Sequence, residues 1–323
     1  MKAQTPKYFN SKLSLGILFL PLSLLYWGIT KLKWKLARPY RSKARVVCVG
    51  NITLGGVGKT PLTIKIVEHL LSENVRVGIL SRGYGGRLSS SVPVIVDTSI
   101  HTARDVGDEV FMMASKFKGV PVCICTNRAN GAKILEKDVD VIVMDDGLQN
   151  YTLQKDISVV VFDGKDSIGN GFIFPAGPLR ESLKSGMVKA DAVVITRCKN
   201  PKLEEKVRTF GIPVFNAKTV AKKIDVKPAS EVIAFAGIGK PQKFYDSLKN
   251  SGLRVIKSFN FPDHYQYSKR DIENILDLAG GLPVLTTMKD FVKIPQNLCQ
   301  KIIPMDIDLA ISDEKKFFEI IGK

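Results

Sequence analysis

Closely spaced glycines, a lysine and a threonine occur together in the segment GNITLGGVGKTP, residues 50–61. Glycines allow backbone N–H groups to turn inward around phosphate oxygens, and a helix that begins directly after the loop adds the positive end of its dipole. In such a loop, Lys59 would reach the β- and γ-phosphates of a nucleotide and Thr60 would ligate Mg²⁺. We therefore predict a nucleotide-binding loop that consists of Thr53, Leu54, Gly55, Gly56, Val57, Gly58, Lys59 and Thr60.

Two positions of this loop depart from the common pattern. Thr53 stands where G-x4-G-K-T loops carry their first glycine, and Leu54 stands where one subgroup of GGxGKT proteins carries a signature lysine. The loop nevertheless lies between an apolar run and an amphipathic run, PLTIKIVEHLL. This order still indicates a strand, a phosphate-binding loop and a helix.

An apolar run that ends in two carboxylates, VDVIVMDDG, spans residues 139–147. Carboxylates at the carboxyl edge of a sheet lie where a nucleotide-bound metal needs them, beside the Thr60 hydroxyl. We therefore predict that Asp145 and Asp146 help to bind Mg²⁺. Asp-Gly after a strand is also typical of an ordinary turn, so this prediction depends on the phosphate loop upstream.

Further charged residues occur near loops that are marked by glycine or proline. The segments include SRGYGGR at 81–87, GDE at 107–109 and FPAGPLRE at 174–181. Loops on a rigid scaffold commonly carry the charged groups of an active site, although turn chemistry alone explains each segment taken singly. The candidate residues are Arg82, Asp108, Arg128 and Arg180.

Short, continuous, β-branched apolar runs recur along the chain between helical or polar stretches. Such runs are typical of strands buried on both faces, as in a parallel sheet covered by helices. The class predicted is α/β, doubly wound and mostly parallel. The runs are Val46–Val49, Val77–Leu80, Val92–Val96, Val120–Ile124, Val141–Met144, Val159–Phe162, Ala192–Ile195, Val232–Phe235, Leu253–Ile256 and Val284–Thr286.

An uncharged apolar segment, Leu13–Ile29, precedes the phosphate loop and is followed by a basic cluster over residues 31–45. As a helix it would be about 26 Å long, against a hydrocarbon core of about 30 Å, and Pro21 would kink it. We predict an anchor that enters or lies in one membrane leaflet, with Trp27 and Trp34 at the interface. A signal peptide and a buried core helix are the alternatives.

The net charge of +17 indicates an anionic partner such as nucleic acid, anionic lipid or a phosphorylated substrate. No nucleic-acid reader motif is present, and the charge clusters beside the apolar segment, so we predict no nucleic-acid partner. Five cysteines are scattered without a C-x-x-C pair, and only three histidines occur. This usage is typical of a reduced cytosolic protein and argues against a disulfide framework or a zinc site.

Eight motifs in a fixed order resemble those of the tetraacyldisaccharide 4'-kinase family: GGVGKTP, SRGYGGR, GDE, DDGLQ, GNGFIFPAGPLRE, AFAGIGKP, FPDHYQY and TTMKD. The resemblance implies a two-lobe P-loop fold with the active site in the cleft. It implies transfer of the ATP γ-phosphate to the 4'-hydroxyl of a tetraacyldisaccharide 1-phosphate, which forms lipid IVA in lipid A biosynthesis. It also implies a monotopic or peripheral enzyme at the cytoplasmic face of the bacterial inner membrane, with no obligate protein partner.

The resemblance also implies roles for individual residues. Asp108 matches the position of the catalytic base, and His264 in FPDHY matches a histidine that assists it from the other lobe. Without the resemblance, a helix N-cap and a lone loop histidine are the simpler interpretations. Arg128 and Arg180 join Lys59 as catalytic candidates. The substrate-binding candidates are Arg82, Tyr84, Gln149 and Asn150.

Two residues depart from the family pattern: Asn150 replaces its usual histidine, and Met288 replaces its usual glutamate. Any role that needs an ionisable group at position 150 is therefore in doubt. We place the anchor at 1–35, the P-loop kinase domain at 36–220 and a smaller C-terminal α/β lobe at 221–323, since residues 217–231 turn Lys-rich and irregular. The alternative function is a membrane-associated P-loop ATPase switch that controls a partner protein.

Overall fold

Two β-sheets, of nine and four strands, organise the computed structural model, which describes residues 6, 9, 15–222 and 226–322. The strands are β1 (Arg45–Gly50), β2 (Val77–Ser81), β3 (Val94–Ile95), β4 (Val122–Ile124), β5 (Val141–Asp145), β6 (Ile157–Asp163), β7 (Ala192–Thr196), β8 (Val214–Ala221), β9 (Glu231–Ala236), β10 (Arg254–Asn260), β11 (Val284–Thr287), β12 (Ile302–Met305) and β13 (Ile307–Ile311). Every apolar run predicted as a strand overlaps one of these.

Helices cover both sheets. The α-helices are α1 (Leu20–Leu36), α2 (Lys59–Ser72), α3 (Ala103–Val106), α4 (Asp108–Lys116), α5 (Arg128–Leu135), α6 (Leu183–Met187), α7 (Pro201–Arg208), α8 (Pro241–Asn250), α9 (Lys269–Ala279), α10 (Met288–Phe291) and α11 (Glu314–Gly322). Within the described residues, 3-10 helices span Leu15–Phe19 and Gln296–Lys301.

The larger sheet has the strand order β13-β8-β7-β6-β1-β5-β2-β4-β3. Its pairs are parallel except at the two edges, where β13 pairs with β8 and β3 pairs with β4 in antiparallel fashion. Along β1, Val47 and Val49 pack with α2, α4 and α11, whereas Val46 and Cys48 pack on the face covered by α5. Burial on both faces is the physical reason for the continuous apolar runs of the sequence.

The smaller sheet has the order β10-β9-β11-β12, and all its pairs are parallel. Ile272 and Ile275 of α9 pack on one face, and Phe244 and Leu248 of α8 pack on the other. The predicted fold class, a mostly parallel α/β sheet with a second and smaller α/β lobe, is therefore confirmed.

The end of the chain returns from the smaller sheet to the larger one. β13 pairs with β8, and Leu309, Phe317 and Ile321 belong to the same core as Val47 of β1. The predicted range of 221–323 for the smaller lobe therefore includes residues that pack on the other sheet. The stretch predicted to be irregular from residue 217 begins inside β8. The second half of this strand is exposed, contains a lysine and lies near the sheet edge, so it shows no continuous apolar run.

The apolar amino-terminal segment forms the 3-10 helix and then α1, with Pro21 in the first turn of α1. Pro21 therefore lies at the start of a helix and does not kink one, contrary to our prediction. Proline is tolerated in the first turn because the N–H group that it lacks would have no partner within the helix there. Ser23 is the buried residue of α1, and most of its leucines and both tryptophans are exposed. Among the described residues, no helix has both the length and the apolar character needed to cross a bilayer.

Candidate active site

The phosphate loop, residues 50–60, joins the carboxyl end of β1 to the start of α2. Gly58, the residue before α2, has a φ of 91°, a left-handed conformation that L side chains rarely adopt. Neighbouring segments hold the loop by hydrogen bonds: Leu54 N donates to Pro178 O at 2.8 Å, and Arg180 N donates to Ile52 O at 2.7 Å. The segment FPAGPLRE therefore supports the loop, although it lies far along the chain.

The carboxyl end of β7 supports the same loop from the other side. Thr196 Oγ1 donates to Val57 O at 2.8 Å, and Arg197 Nη2 donates to Gly56 O at 3.0 Å. Sequence reasoning missed both residues. Their position directly at the end of an apolar run is the signal that would have found them, because the ends of parallel strands share one edge of a sheet.

Two adjacent carboxylates, Asp145 as the last residue of β5 and Asp146 directly after it, have opposite electrostatic environments. Asp145 is buried and accepts a hydrogen bond from Thr63 Oγ1 at 3.0 Å. Burial, Glu109 and Asp146 together raise the pKa of Asp145 to about 7. Burial also acts to raise the pKa of Asp146, but the nearby charges of Lys59 and Arg180 outweigh it and hold that pKa below its ordinary value.

Lys59 and Arg180 meet at Asp146. The Lys59 ammonium lies 3.5 Å from one carboxylate oxygen, and Arg180 Nη1 lies 3.1 Å from the other. Gln149 joins the group, since its Oε1 accepts from Arg180 Nη1 at 3.3 Å and its Nε2 donates to Asn51 O at 2.8 Å. Four residues from three separate motifs, Lys59, Asp146, Gln149 and Arg180, are thus brought to one place beside the phosphate loop.

The first turn of α4 connects the phosphate loop to the smaller sheet. Thr60 Oγ1 donates to Glu109 Oε2 at 3.0 Å, and Lys289 donates to Glu109 Oε1 at 3.2 Å. Among the described residues, no three His, Cys, Asp or Glu side chains form a group that would hold a metal ion by themselves. Mg²⁺ at nucleotide sites typically uses one or two carboxylates plus phosphate oxygens and water, which Thr60, Asp145, Asp146 and Glu109 fit.

Asp108 and His264 are in direct contact across the two lobes. Asp108 is 6% exposed, and its Oδ2 lies 2.7 Å from His264 Nδ1. The N-cap of α4 is Gly107, so Asp108 is the first helical residue and does not take the N-cap position we considered. His264 has a φ of 63°, uncommon for a residue other than glycine, and its backbone N donates to Gly237 O at 3.2 Å. The structure therefore brings the two residues together; their catalytic roles remain a prediction.

A buried lysine completes this contact from the smaller lobe. Lys293 has no exposed side-chain surface, and its ammonium lies 2.8 Å from Asp290 Oδ1 and 3.8 Å from Asp108 Oδ2. Sequence reasoning missed Lys293 and Lys289. Both lysines come after the TTM motif, and they are four residues apart. This spacing was the available signal, because residues four apart share one face of a helical turn.

Arg128 is buried behind the carboxylates. Its Nη1 donates to Cys125 O, and its Nε has no hydrogen-bond partner among the described residues. Burial lowers the pKa of Arg128, and the charges of Asp145 and Asp146 oppose that effect. A buried guanidinium with an unused donor is suited to an additional anion such as a phosphate.

The remaining substrate-binding candidates have fewer contacts with the catalytic candidates. Arg82 and Tyr84 are exposed on the loop after β2, and no hydrogen bond or ion pair links their side chains to Asp108 or His264 within the described part of the chain. The Asn150 side chain accepts hydrogen bonds from the backbone N and the hydroxyl of Thr152, at 3.0 and 2.8 Å. Asn150 therefore has a local structural role that needs no ionisable group.

Comparison with known proteins agrees with this geometry. The family described as "Tetraacyldisaccharide-1-P 4'-kinase" matches residues 15–323. The tetraacyldisaccharide 4'-kinase of Paramagnetospirillum magneticum is 37% identical over 311 residues, covering 95% of this chain and 94% of its own. That of Rickettsia canadensis is 34% identical over 326 residues, covering 100% and 98%.

A solved structure has the same fold over nearly the whole chain. The "apo" form of LpxK from Aquifex aeolicus, in complex with ATP, superimposes with a TM-score of 0.77 at 28% identity, covering 96% of this chain and 99% of that one. The resemblance that the motifs indicated is confirmed. By the extent of the family match and the identity to its relatives, this chain belongs to the tetraacyldisaccharide-1-P 4'-kinase family.

Proposed function

We propose that this protein transfers the γ-phosphate of ATP to the 4'-hydroxyl of a tetraacyldisaccharide 1-phosphate, forming lipid IVA in lipid A biosynthesis. The observation that carries the proposal is the double contact made by the first turn of α4. Glu109 bonds to Thr60 of the phosphate loop, and the adjacent Asp108 contacts His264 of the smaller lobe. A group suited to accept a proton thus lies next to a group suited to bind nucleotide phosphates.

In the proposed reaction the phosphate loop holds the ATP phosphates, with backbone N–H groups and the Lys59 ammonium as donors. Arg180 and Arg128 supply further positive charge near the same place. When bound, Mg²⁺ would neutralise charge on the phosphates, held by the Thr60 hydroxyl and by Asp145 and Asp146. Asp145 must be ionised to act in this way, and metal binding favours that form.

The acceptor side uses the Asp108–His264 pair. The 4'-oxygen forms a bond to the γ-phosphorus while the bond from that phosphorus to the β,γ-bridging oxygen breaks, and ADP leaves. The hydroxyl proton passes to the Asp108 carboxylate, which His264 and the Lys293 ammonium hold in place. The pair is complete only when the two lobes are in contact. A water molecule in an open cleft would therefore be a poor acceptor of the γ-phosphate, which limits ATP hydrolysis.

The proposed location is the cytoplasmic face of the bacterial inner membrane, in monotopic or peripheral association. Its support is α1, which exposes apolar residues such as Leu22, Leu24 and Leu25 next to a basic cluster. Ser23 fixes the helix to the body of the protein, since its hydroxyl donates to Ile173 O at 2.8 Å and accepts from Ala176 N at 3.0 Å. The helix is thereby connected to the FPAGPLRE segment that supports the phosphate loop.

The activity is tested by incubating the protein with ATP labelled at the γ-phosphate and a tetraacyldisaccharide 1-phosphate in mixed micelles. We expect a product heavier by one phosphoryl group, with the label at the 4' position, and little ATP hydrolysis without the acceptor. ATP turnover that ignores the lipid but responds to a partner protein would instead indicate an ATPase switch.

The membrane association is tested with the double variant Leu24→Glu/Leu25→Glu. Each leucine that enters a bilayer interface contributes roughly 1.5–3 kcal/mol, so vesicle binding should fall by at least tenfold. Leu278→Glu is the matched control, because Leu278 is an exposed leucine on α9 of the smaller lobe. Equal vesicle binding of the double variant and the control would contradict the proposed role of α1.

A further inference from the structure

Asp290 is a buried carboxylate to which the proposed reaction assigns no role. It lies in α10, within the TTMKD segment, and has no exposed surface. A buried charge destabilises a protein unless an opposite charge and hydrogen bonds compensate it. The groups that surround the two oxygens of Asp290 therefore indicate what its charge does.

One oxygen of Asp290 faces a buried ammonium. Lys293 Nζ lies 2.8 Å from Asp290 Oδ1, and neither side chain has any exposed surface. Within the described part of the chain, Lys293 Nζ makes no hydrogen bond, so charge holds this contact. The same ammonium lies 3.8 Å from Asp108 Oδ2, the oxygen that lies 2.7 Å from His264 Nδ1. Lys293 thus stands between two carboxylates, and Asp290 is the nearer one.

The other oxygen of Asp290 supports the backbone that carries His264. Gly237 N donates to Asp290 Oδ2 at 3.0 Å, and Gly237 O accepts from His264 N at 3.2 Å. A Cβ atom at position 237 would lie 2.8 Å from Tyr267 Oη and 3.1 Å from Asp290 Oδ1, so a side chain there would crowd both groups. His264 has a φ of 63°, and a residue in this uncommon conformation needs support from its surroundings. Gly237 transmits that support from Asp290.

A simpler role for Asp290 is to cap a short helix. Thr287 is the N-cap residue of α10, and its hydroxyl accepts from Asp290 N at 3.1 Å and donates to Asp290 Oδ2 at 2.8 Å. Asp271 has the same role in α9, where it forms a capping box with Ser268. Capping explains the contacts of one Asp290 oxygen but not the buried ammonium at the other.

We propose that Asp290 is a positioning residue for phosphoryl transfer and acts on both members of the Asp108–His264 pair. Through the ion pair, it restrains the Lys293 ammonium, which stays near Asp108 without displacing His264 from the shared oxygen. Through Gly237, it holds the backbone turn of His264. This assignment rests on the proposed function, because it gives Asp290 a task only if the pair accepts the proton of the lipid hydroxyl.

The ion-pair route is tested by a cycle of Asp290→Asn and Lys293→Gln, with kcat measured at saturating ATP and lipid acceptor. Asparagine keeps an oxygen that can accept from Gly237 N and removes the charge. The Lys293 ammonium is then drawn to Asp108, so Asp290→Asn alone should lower kcat by at least about tenfold. In the Lys293→Gln background the same substitution should lower kcat by no more than about threefold, because no ammonium is left to restrain. The KM for ATP should stay within about twofold in every variant.

The Gly237 route is tested with Asp290→Ala, which also removes the oxygen that accepts from Gly237 N. This variant should lower kcat by about threefold more than Asp290→Asn, with and without Lys293. Asp271→Asn and Asp271→Ala are the matched controls, because they weaken a cap of the same kind in the same lobe. The controls should lower the Tm and keep kcat within about twofold of the wild type.

The outcomes separate the possible failures. If the wild type does not phosphorylate the lipid acceptor, the proposed function fails and the role of Asp290 fails with it. If the wild type is active and Asp290→Asn lowers kcat by the same factor with and without Lys293, or not at all, Asp290 is only a cap.

The double variant covers the case in which Asp290→Asn alone does not fold, because its buried pair is neutral. A kcat equal to that of Lys293→Gln within about threefold supports the assignment. A further loss of about tenfold or more overturns it, since such a loss would not depend on the ammonium.

Discussion

The phosphate loop and the Asp108–His264 pair meet at the first turn of α4, but the chain assembles them differently. The phosphate loop is one continuous segment at the carboxyl end of β1, and its partners Asp145 and Asp146 lie at the carboxyl end of the neighbouring strand β5. Asp108 and His264 are 156 residues apart, Asp108 in the first turn of α4 and His264 in the loop between β10 and α9 of the smaller lobe. One half of the site belongs to a single lobe, whereas the other half requires two.

This difference gives the two halves different sensitivities. A change within the phosphate loop removes a group whose action does not depend on the position of the smaller lobe. A change at His264 or Lys293 acts through the contact between the lobes, because both residues reach Asp108 from the smaller one. We therefore expect nucleotide binding to survive changes in the smaller lobe and catalysis to depend on both lobes.

The largest effect is expected for Lys59→Ala. The Lys59 ammonium is the positive charge of the phosphate loop, so its loss should lower kcat by at least about 10³-fold and should also weaken ATP binding. Steady-state kinetics and ATP titration measure the two effects. Lys118→Ala, which removes an exposed lysine after α4, is the control and should retain wild-type values. Near-normal turnover in a folded Lys59→Ala protein would mean that the nucleotide binds elsewhere.

A smaller effect is expected for Lys293→Gln. The ammonium 3.8 Å from Asp108 helps to hold an ionised carboxylate in a buried place, so its loss should lower kcat by about tenfold. Glutamine removes the charge of Lys293 but keeps a polar side chain of similar volume at this buried position. The KM for ATP should stay within about twofold, since Lys293 does not contact the phosphate loop. The control is Lys301→Gln, an exposed lysine of the same lobe.

If Lys293→Gln kept the wild-type kcat, the contribution of the smaller lobe would be limited to His264. If the variant raised the KM for ATP and left kcat unchanged, the smaller lobe would contribute to nucleotide binding and not to catalysis. That result would contradict the division of roles proposed for the two halves of the site.

The nucleotide half of the site, which consists of the phosphate loop with Asp145 and Asp146, was largely predictable from sequence. Its residues lie in short continuous motifs. GGVGKT and VIVMDDG each place functional residues directly after an apolar strand, and parallel strands bring such ends to one edge. Burial on both faces also made the central strands visible as continuous apolar runs. The residues missed here, Thr196 and Arg197, lie at the carboxyl end of β7, a strand that carried no recognised motif.

The acceptor half was not predictable from spacing. The pairing of Asp108 with His264 was indicated only by the family resemblance, because no periodicity connects residues so far apart. The return of β13 to the larger sheet was missed for a similar reason: an edge strand buries little and shows no continuous apolar run. Lys293 was missed because a charged residue is normally exposed, whereas Lys293 is buried beside Asp290.

The smallest expected effect concerns Asp145 in the nucleotide half. Its pKa of about 7 lies above its ordinary value, so the folded protein binds more protons there than the unfolded chain does. The stability that this proton provides is fully present below the ordinary pKa of 3.8, falls as the pH rises above it, and is lost once the pH passes about 7. In metal-free buffer with EDTA, Asp145→Asn should therefore raise the Tm by several degrees at pH 8.5 and by about half as much at pH 5.5.

Asp146→Asn is the matched control, because the pKa of Asp146 is shifted in the opposite direction. Its ionised form is stabilised by Lys59 and Arg180, so the variant should lower the Tm at pH 8.5. Thermal unfolding of both variants at the two pH values gives the comparison. Parallel shifts of the two adjacent variants would contradict the environments assigned to them.

The most direct test of the account is a double-mutant cycle between Asp108 and His264, measured as kcat with saturating ATP and lipid acceptor. If the pair acts as one unit across the lobes, Asp108→Ala should lower kcat by about 10²-fold or more, and His264→Ala should act in the same direction. The double variant should then lose much less than the product of the two single losses, with little change in ATP affinity. Independent, multiplicative losses, or a loss confined to KM, would contradict a base that is assembled by both lobes.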